Sequence, residues 1–261
     1  MKNPVIQIQS LKKSFKNQEI LKGIDLEVDA GEVIGYLGSN GAGKSTTVKI
    51  LCGVVRDFEG EIRILGHDLR QEDILIKKRI GYIPENAVMY EQLTPLEYLE
   101  FTASLYGIVP DIARQKSTDL LELFDMKNFR NDRMLHFSKG MKQKIHILSG
   151  LLHNPDILFL DEPLNGLDAN AVMVVKEIIS QLSKEGKTIF YCSHLMDVVE
   201  RISSRIVLIN QGQIIANGTV DNLKKQSGSS SLENLFSKLT GQTDSTEKAG
   251  KIIHVFEKKN S

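Results

Sequence analysis

Apolar residues fall into two rhythms along this chain, and the change between them divides it. Val5 to Ser10 and Ile20 to Val28 alternate apolar and polar positions about the turn-like Lys16-Asn17-Gln18, which predicts a pair of antiparallel strands. Glu32 to Leu37 (EVIGYL) is nearly all apolar, as a strand buried on both faces would be, and Ser45 to Leu51 (STTVKIL) opens a helix. A turn at Asp57 to Gly60 leads into a strand at Glu61 to Leu65. A polar segment follows, and Lys78 to Ile83 is a further strand stopped by Pro84. From Pro95 to Leu152 the spacing becomes helical, with Leu96, Leu99, Ala103 and Tyr106 on one face and Leu120, Leu121 and Phe124 later. Asn154-Pro155 ends that stretch. Ile157 to Leu160 (ILFL) and Thr188 to Cys192 (TIFYC) resume the buried strands, with helices at Ala171 to Leu182 and Leu195 to Ile202. Arg205 to Ile209 and Gln213 to Asn217 read as two strands joined by Gln211-Gly212. Ser227 to Ser231 (SGSSS) is a flexible break before SLENLFSKLTG and a short tail.

Apolar strands alternating with helices predict an α/β fold with a mostly parallel sheet. The alternating N-terminal strands make an antiparallel β subdomain, and the helical stretch, about 86–152, is an inserted α-helical subdomain. Residues 226–261 form a C-terminal appendage. A chain of 261 residues, 41% apolar and 25% charged, is globular and large enough for this plan. Formal net charge is zero and the sequence pI is near 7.0, so no basic surface is set aside for nucleic acid or an anionic membrane. No run of about 18 apolar residues occurs, and MKNPVIQIQ lacks a charged and apolar leader, so the chain is expected to be soluble. Cys52 and Cys192 sit in apolar contexts and are expected to be structural free thiols.

The stretch with the most definite chemistry is GSNGAGKS, between the strand at 32–37 and the helix at 45–51. Gly38, Gly41 and Gly43 let successive N–H groups turn into one concavity that accepts anions, together with Ser39, Asn40 and Ala42 between them. Lys44 brings a point charge to the last phosphates of a nucleotide. Ser45 is suited to ligate the accompanying Mg²⁺, and Thr46 adds a hydroxyl. The strand ILFL ends in Asp161-Glu162, at the edge of a parallel sheet where ligands of α/β folds bind. Asp161 suits the metal, and Glu162 suits the role of base for an attacking water; taken alone the segment is equally a solvated acidic turn. His194 follows TIFYCS, where an imidazole could bridge a γ-phosphate and water, or simply pack. Ser138-Lys139-Gly140-Met141 precedes a helical run, so Ser138 is an N-cap. A second phosphate contact and a plain helix start are both open readings of it.

In these motifs, and in their order and spacing from about residue 4 to residue 225, the chain resembles the ATP-binding subunit of ATP-binding cassette (ABC) transporters. GSNGAGKS resembles the family's Walker A, ILFLDE its Walker B, FSKGM its signature, and Leu164 to Asp168 (LNGLD) its D-loop. The resemblance implies a P-loop NTPase core and an ATPase using ATP and Mg²⁺. Phe15 would stack on adenine, Glu85 would stand at the Q-loop position near the metal, and His194 would be the switch histidine. It also implies a head-to-tail pairing with a second ATP-binding subunit, identical or not. Ser138, Lys139, Gly140, Met141 and Asp168 of one chain would then meet ATP held by Lys44 of the other.

Two positions depart from the family pattern. The signature has Phe137, Lys139 and Met141 where LSGGQ is common, and Glu85 replaces a glutamine. FSKGMKQK, IGYIPE and SLENLFSKLTG resemble the subfamily that exports drugs, antibiotic peptides, polysaccharides or sodium. The expectation is therefore the motor of an exporter, peripheral at the cytoplasmic face of the membrane and joined to a polytopic permease. An importer motor, or a soluble ATPase acting on ribosomes or DNA, are the rival readings. Val88, Met89, Tyr90 and Leu93, beside the Q-loop position, are expected to be part of the permease dock, or else to pack inside the helical lobe.

Overall fold

A computed structural model describes residues 4–86, 88–228, 231–240 and 253. Strands β1 (Pro4–Phe15) and β2 (Gln18–Asp29) pair antiparallel, followed by β3 (Val33–Leu37) and helix α1 (Lys44–Leu51). Next come β4 (Glu59–Ile64), the short β5 (His67–Asp68), α2 (Asp73–Lys77) and β6 (Ile80–Ile83). The segment expected to be merely polar thus holds a strand and a helix, each too short for a hydrophobic period to register.

The helical stretch resolves into α3 (Pro95–Leu105), α4 (Pro110–Leu123) and α5 (Lys139–Leu151), with 3-10 turns between the last two. Helix α3 starts at a capping box: the Glu97 amide donates to Thr94 Oγ1 at 3.2 Å, and the Thr94 amide to Glu97 Oε2 at 2.8 Å. Then follow β7 (Ile157–Asp161), α6 (Ala169–Lys184), β8 (Thr188–Ser193), α7 (Met196–Ile202), β9 (Arg205–Asn210), β10 (Gln213–Gly218), α8 (Val220–Ser227) and α9 (Leu232–Thr240).

Two sheets result. One is antiparallel, in the order β2-β1-β4-β5. The other runs β10-β9-β3-β8-β7-β6, parallel except for the edge strand β10. Every residue of β3, β7 and β8 is buried, which is why these strands read as unbroken apolar runs. Their side chains still alternate between the two faces. Val33, Leu37, Leu158, Leu160, Ile189 and Tyr191 join the core under the helical lobe, while Ile34, Tyr36, Ile157, Phe159, Phe190 and Cys192 join the core shared with α1 and the β1–β2 pair. Gly35 lets α7 approach β3: a Cβ there would lie 2.2 Å from Val199 Cγ1.

Two expectations change. Helix α9, which covers most of SLENLFSKLTG, is packed onto the fold, since its Leu232, Leu235 and Phe236 are buried in the helical-side core beside α7 and α8. Ser229 and Ser230, in the segment expected to be a flexible break, lie outside the described residues. Met89 is 7% exposed and belongs to the core, whereas Val88 and Tyr90 are exposed. The cysteines are free and buried, and burial raises both thiols well above their ordinary range.

Candidate active site

The loop from β3 to α1 is shaped by two glycines in the left-handed region, Gly41 at φ 80° and Gly43 at φ 111°. Gly38, expected to serve the same way, is needed for a different reason. A Cβ there would lie 2.3 Å from the Ile209 carbonyl oxygen, so the residue must be bare for the loop to lie against β9. Inside the loop the Ala42 amide donates to the Ser39 carbonyl at 3.1 Å. Lys44 is buried at the start of α1, and its Nζ donates to the carbonyls of Gly38 at 2.8 Å and Ser39 at 3.1 Å. These acceptors are neutral, and among the described residues Lys44 has no carboxylate partner. A phosphate oxygen there would meet the charge of a buried ammonium and the positive end of α1 together.

On β7 the side-chain alternation carries Asp161 to the same face as Phe159, toward α1. There Ser45 Oγ donates to Asp161 Oδ1 at 3.0 Å. Burial pushes the Asp161 carboxyl above the usual carboxylate range; the Ser45 hydrogen bond opposes this, and the charges of Glu162 and Glu85 add to it. At the next residue the strand geometry breaks. Glu162 has φ 50°, in the left-handed region that glycine favours, while its amide still donates to the Cys192 carbonyl at 3.0 Å. Its carboxylate is thereby turned to the strand end of β8. Ser193 Oγ donates to Glu162 Oε2 at 2.9 Å, and His194 Nδ1 lies 2.7 Å from Glu162 Oε1.

Asn40, Gly41, Gly43, Lys44, Ser45 and Thr46 line one cavity of about 400 Å³ together with Phe15, Glu85, Glu162 and His194. Ten of the sequence-predicted residues therefore meet around one space, with Asp161 behind Ser45. Phe15 is 47% exposed at its edge, with Lys13 Nζ 4.8 Å from the ring centroid and held by Asp57 at 2.9 Å. Glu85 Oε1 accepts a hydrogen bond from Asn165 Nδ2 at 3.3 Å, which ties the Q-loop position to the D-loop segment. Ser193 was not singled out from the sequence.

The signature residues line none of that cavity. Ser138 caps α5, its Oγ accepting from the Met141 amide at 3.2 Å. Asp168 caps α6 by accepting from the Ala171 amide at 2.8 Å and pairs with Lys144 at 3.2 Å, and these contacts hold its carboxyl below the usual range. A Cβ on Gly140 would fall 2.4 Å from the Gly166 carbonyl oxygen, so α5 needs a glycine there to lie against the D-loop segment of its own chain. Lys139 lays its stem beside Gly166.

Residues 21–165, more than half of the chain, match the family model described as ABC transporter. The linearmycin resistance ATP-binding protein of Bacillus subtilis is 36% identical over 224 residues, covering 86% of this chain and 72% of that protein. A solved ATP-binding subunit of an ABC transporter is 33% identical with a TM-score of 0.84, covering 90% of this chain and 99% of that one. A dimeric ATP-binding cassette in a post-hydrolysis state, bound to ADP and Pi, shares the fold with a TM-score of 0.76 at 24% identity, over 82% of this chain and 98% of that one. Since the family match and the 36% identity both span most of the machinery described above, the chain belongs to the ABC transporter family and is one of its ATP-binding, ATP-hydrolysing subunits.

Proposed function

We propose that this subunit energises export of a drug, antibiotic peptide, ion or similar solute through a separate polytopic permease. The observation that carries the proposal is the pairing of Ser45 with Asp161 and of Glu162 with His194 at adjoining strand ends. Export is favoured because the relative from Bacillus subtilis is named for resistance to linearmycin. In the proposed division of the chain, residues 4–225 are the ATP-binding domain with the helical subdomain, about 86–152, inserted, and 226–261 are an appendage partly anchored by α9.

In this reading adenine stacks on Phe15, and the amides of residues 38–46 with Lys44 Nζ hold the phosphates. Mg²⁺ would be held by Ser45 and by Asp161, directly or through water, with Glu85 nearby. The donor set fits, since these are hard oxygen ligands and the Asp161 carboxyl is raised in part by neighbouring charges that a cation would offset. Bound there, the ion would neutralise charge on the terminal phosphates. Among the described residues no group of three or more His, Cys, Asp or Glu could hold a metal alone, in keeping with an ion that arrives with its nucleotide. Glu162 takes the proton of the attacking water, and His194 orients the water and the γ-phosphate.

The second half of each site would come from Ser138, Lys139, Gly140, Met141 and Asp168 of a second ATP-binding subunit, identical or different, placed head to tail. No helix among the described residues is long and apolar enough to cross a membrane, which suits a peripheral subunit at the cytoplasmic face, and the neutral net charge gives no support to a nucleic-acid partner. Exposed Val88 and Tyr90, the latter edge-on to Phe101 at 5.7 Å between centroids, are the proposed dock for the permease.

The test is a pull-down of the Glu162→Gln chain with ATP from detergent-solubilised native membranes, with partners identified by mass spectrometry. A polytopic membrane protein is expected, and its recovery should fall for Glu162→Gln combined with Val88→Ser and Tyr90→Ala. Ribosomal or nucleic-acid partners in its place would contradict the transport reading.

A further inference from the structure

We propose that Ser193 is the positioning residue of the hydrolytic carboxylate, and that it divides the work of Glu162 between its two oxygens: Oε2 is held in place and Oε1 accepts the proton. The proposal rests on the reading of Glu162 as the base.

A serine hydroxyl has one proton to give. Ser193 Oγ accepts the Leu195 amide at 3.0 Å, and an amide N–H can only donate, so this contact uses a lone pair and leaves the hydroxyl proton unspent. The proton goes to Glu162 Oε2 at 2.9 Å, inside a residue that is 1% exposed, where water does not compete for it. Oε2 is thereby fixed as an acceptor in a buried bond. Oε1 faces the other way, to His194 Nδ1, on a side chain that is 45% exposed at the cavity. Oε1 lies beside the imidazole that borders the cavity, where a water can reach it, whereas Oε2 is closed off by the buried hydroxyl. Only Oε1 is therefore on the side from which the attacking water comes.

Backbone geometry makes this restraint matter. Glu162 leaves β7 at φ 50°, so its side chain gets no direction from the pleat, and the carboxylate plane is set by its two partners. Ser193 does not line the nucleotide cavity; it acts on the reaction only through Glu162. In the step itself, the water oxygen bonds to the γ-phosphorus and its proton moves to Oε1. The bond from that phosphorus to the bridging oxygen breaks, and its electron pair leaves with ADP. Oε1 later returns the proton to solvent or phosphate, and the Oε2 contact to Ser193 is unchanged throughout.

The test is single-turnover and steady-state hydrolysis of ATP by Ser193→Ala, Ser193→Cys and Ser193→Thr. Loss of the hydroxyl should lower kcat about tenfold while KM for ATP stays within about twofold, because the residue touches the base and not the nucleotide. Ser193→Cys keeps the shape with a weak donor and should fall with the alanine variant. Ser193→Thr keeps the hydroxyl and should restore most of the rate. In a Glu162→Gln background, Ser193→Ala should cost nothing further, since the group it positions is no longer a base. Parental kcat in both Ser193→Ala and Ser193→Cys would overturn the proposal, as would a further tenfold loss in the Glu162→Gln background. Parental hydrolysis by Glu162→Gln alone would instead overturn the assignment of the base itself.

Discussion

Lys44, Asp161 and Glu162 lie buried at the sheet edge and are bonded to the walls of one cavity, whereas Ser138, Lys139 and Asp168 lie exposed at helix starts, where Ser138 and Asp168 cap their own helices and Asp168 also pairs with Lys144. The first group is organised before any ligand arrives, because its charges are desolvated and each needs a partner. The second group is organised as ordinary helix architecture that happens to leave a hydroxyl, a cation and a carboxylate facing outward. In the proposed reading, one chain carries a nearly organised phosphate and water station and, separately, an exposed face, the cap, that would complete the station of a second subunit.

The sharpest way to break this contrast is to disable the station while leaving the cap. Glu162→Gln should slow hydrolysis by about 10²–10⁴, the usual worth of a positioned general base, with ATP affinity retained in a nucleotide-binding titration. Parental turnover would show that the buried carboxylate is architecture too.

A smaller effect probes the cap side through pH. His146 sits buried on α5, and burial lowers its ring from 6.5 to about 4. The unfolded chain therefore takes the proton first, so stability should fall as the pH drops from about 6.5 to about 4, at most by roughly 1.4 kcal/mol per pH unit. Urea melts across that range should show the slope, and His146→Leu should remove most of it. His153, also lowered by burial, leaves a remainder of the same sign.

The smallest effect asks whether Gly140 is architectural. Gly140→Ala should lower stability by about 1–3 kcal/mol through the contact with Gly166, in the isolated chain and without nucleotide. A melting curve unchanged from the parent would return Gly140 to a purely ligand-facing role.

Much of the station was legible in the sequence because its residues are contiguous or end an apolar strand. The apolar runs at 33–37, 157–160 and 189–192 are short and bounded as buried strands are, and Asp161-Glu162 and His194 stand just beyond the ends of two of them. What escaped depends on contacts between distant positions. Ser193 is 31 residues from the carboxylate it holds, and nothing in TIFYCS distinguishes it from a serine that merely ends a strand. Gly38 read as a turn glycine because spacing says nothing of the Ile209 carbonyl beside it. Met89 sat in an irregular stretch with no period to give its direction, and α9 came after a Ser/Gly segment that looks the same whether or not the next helix docks.

The measurement that tests the account most directly mixes two damaged chains. Lys44→Ala destroys the station and leaves the cap; Ser138→Arg blocks the cap and leaves the station. Each alone should be silent in ATP hydrolysis. If the site is shared head to tail, an equal mixture should regain about a quarter of the parental rate, since half the dimers are mixed and each has one intact site of two. Activity in Ser138→Arg alone, or silence in the mixture, would contradict the account.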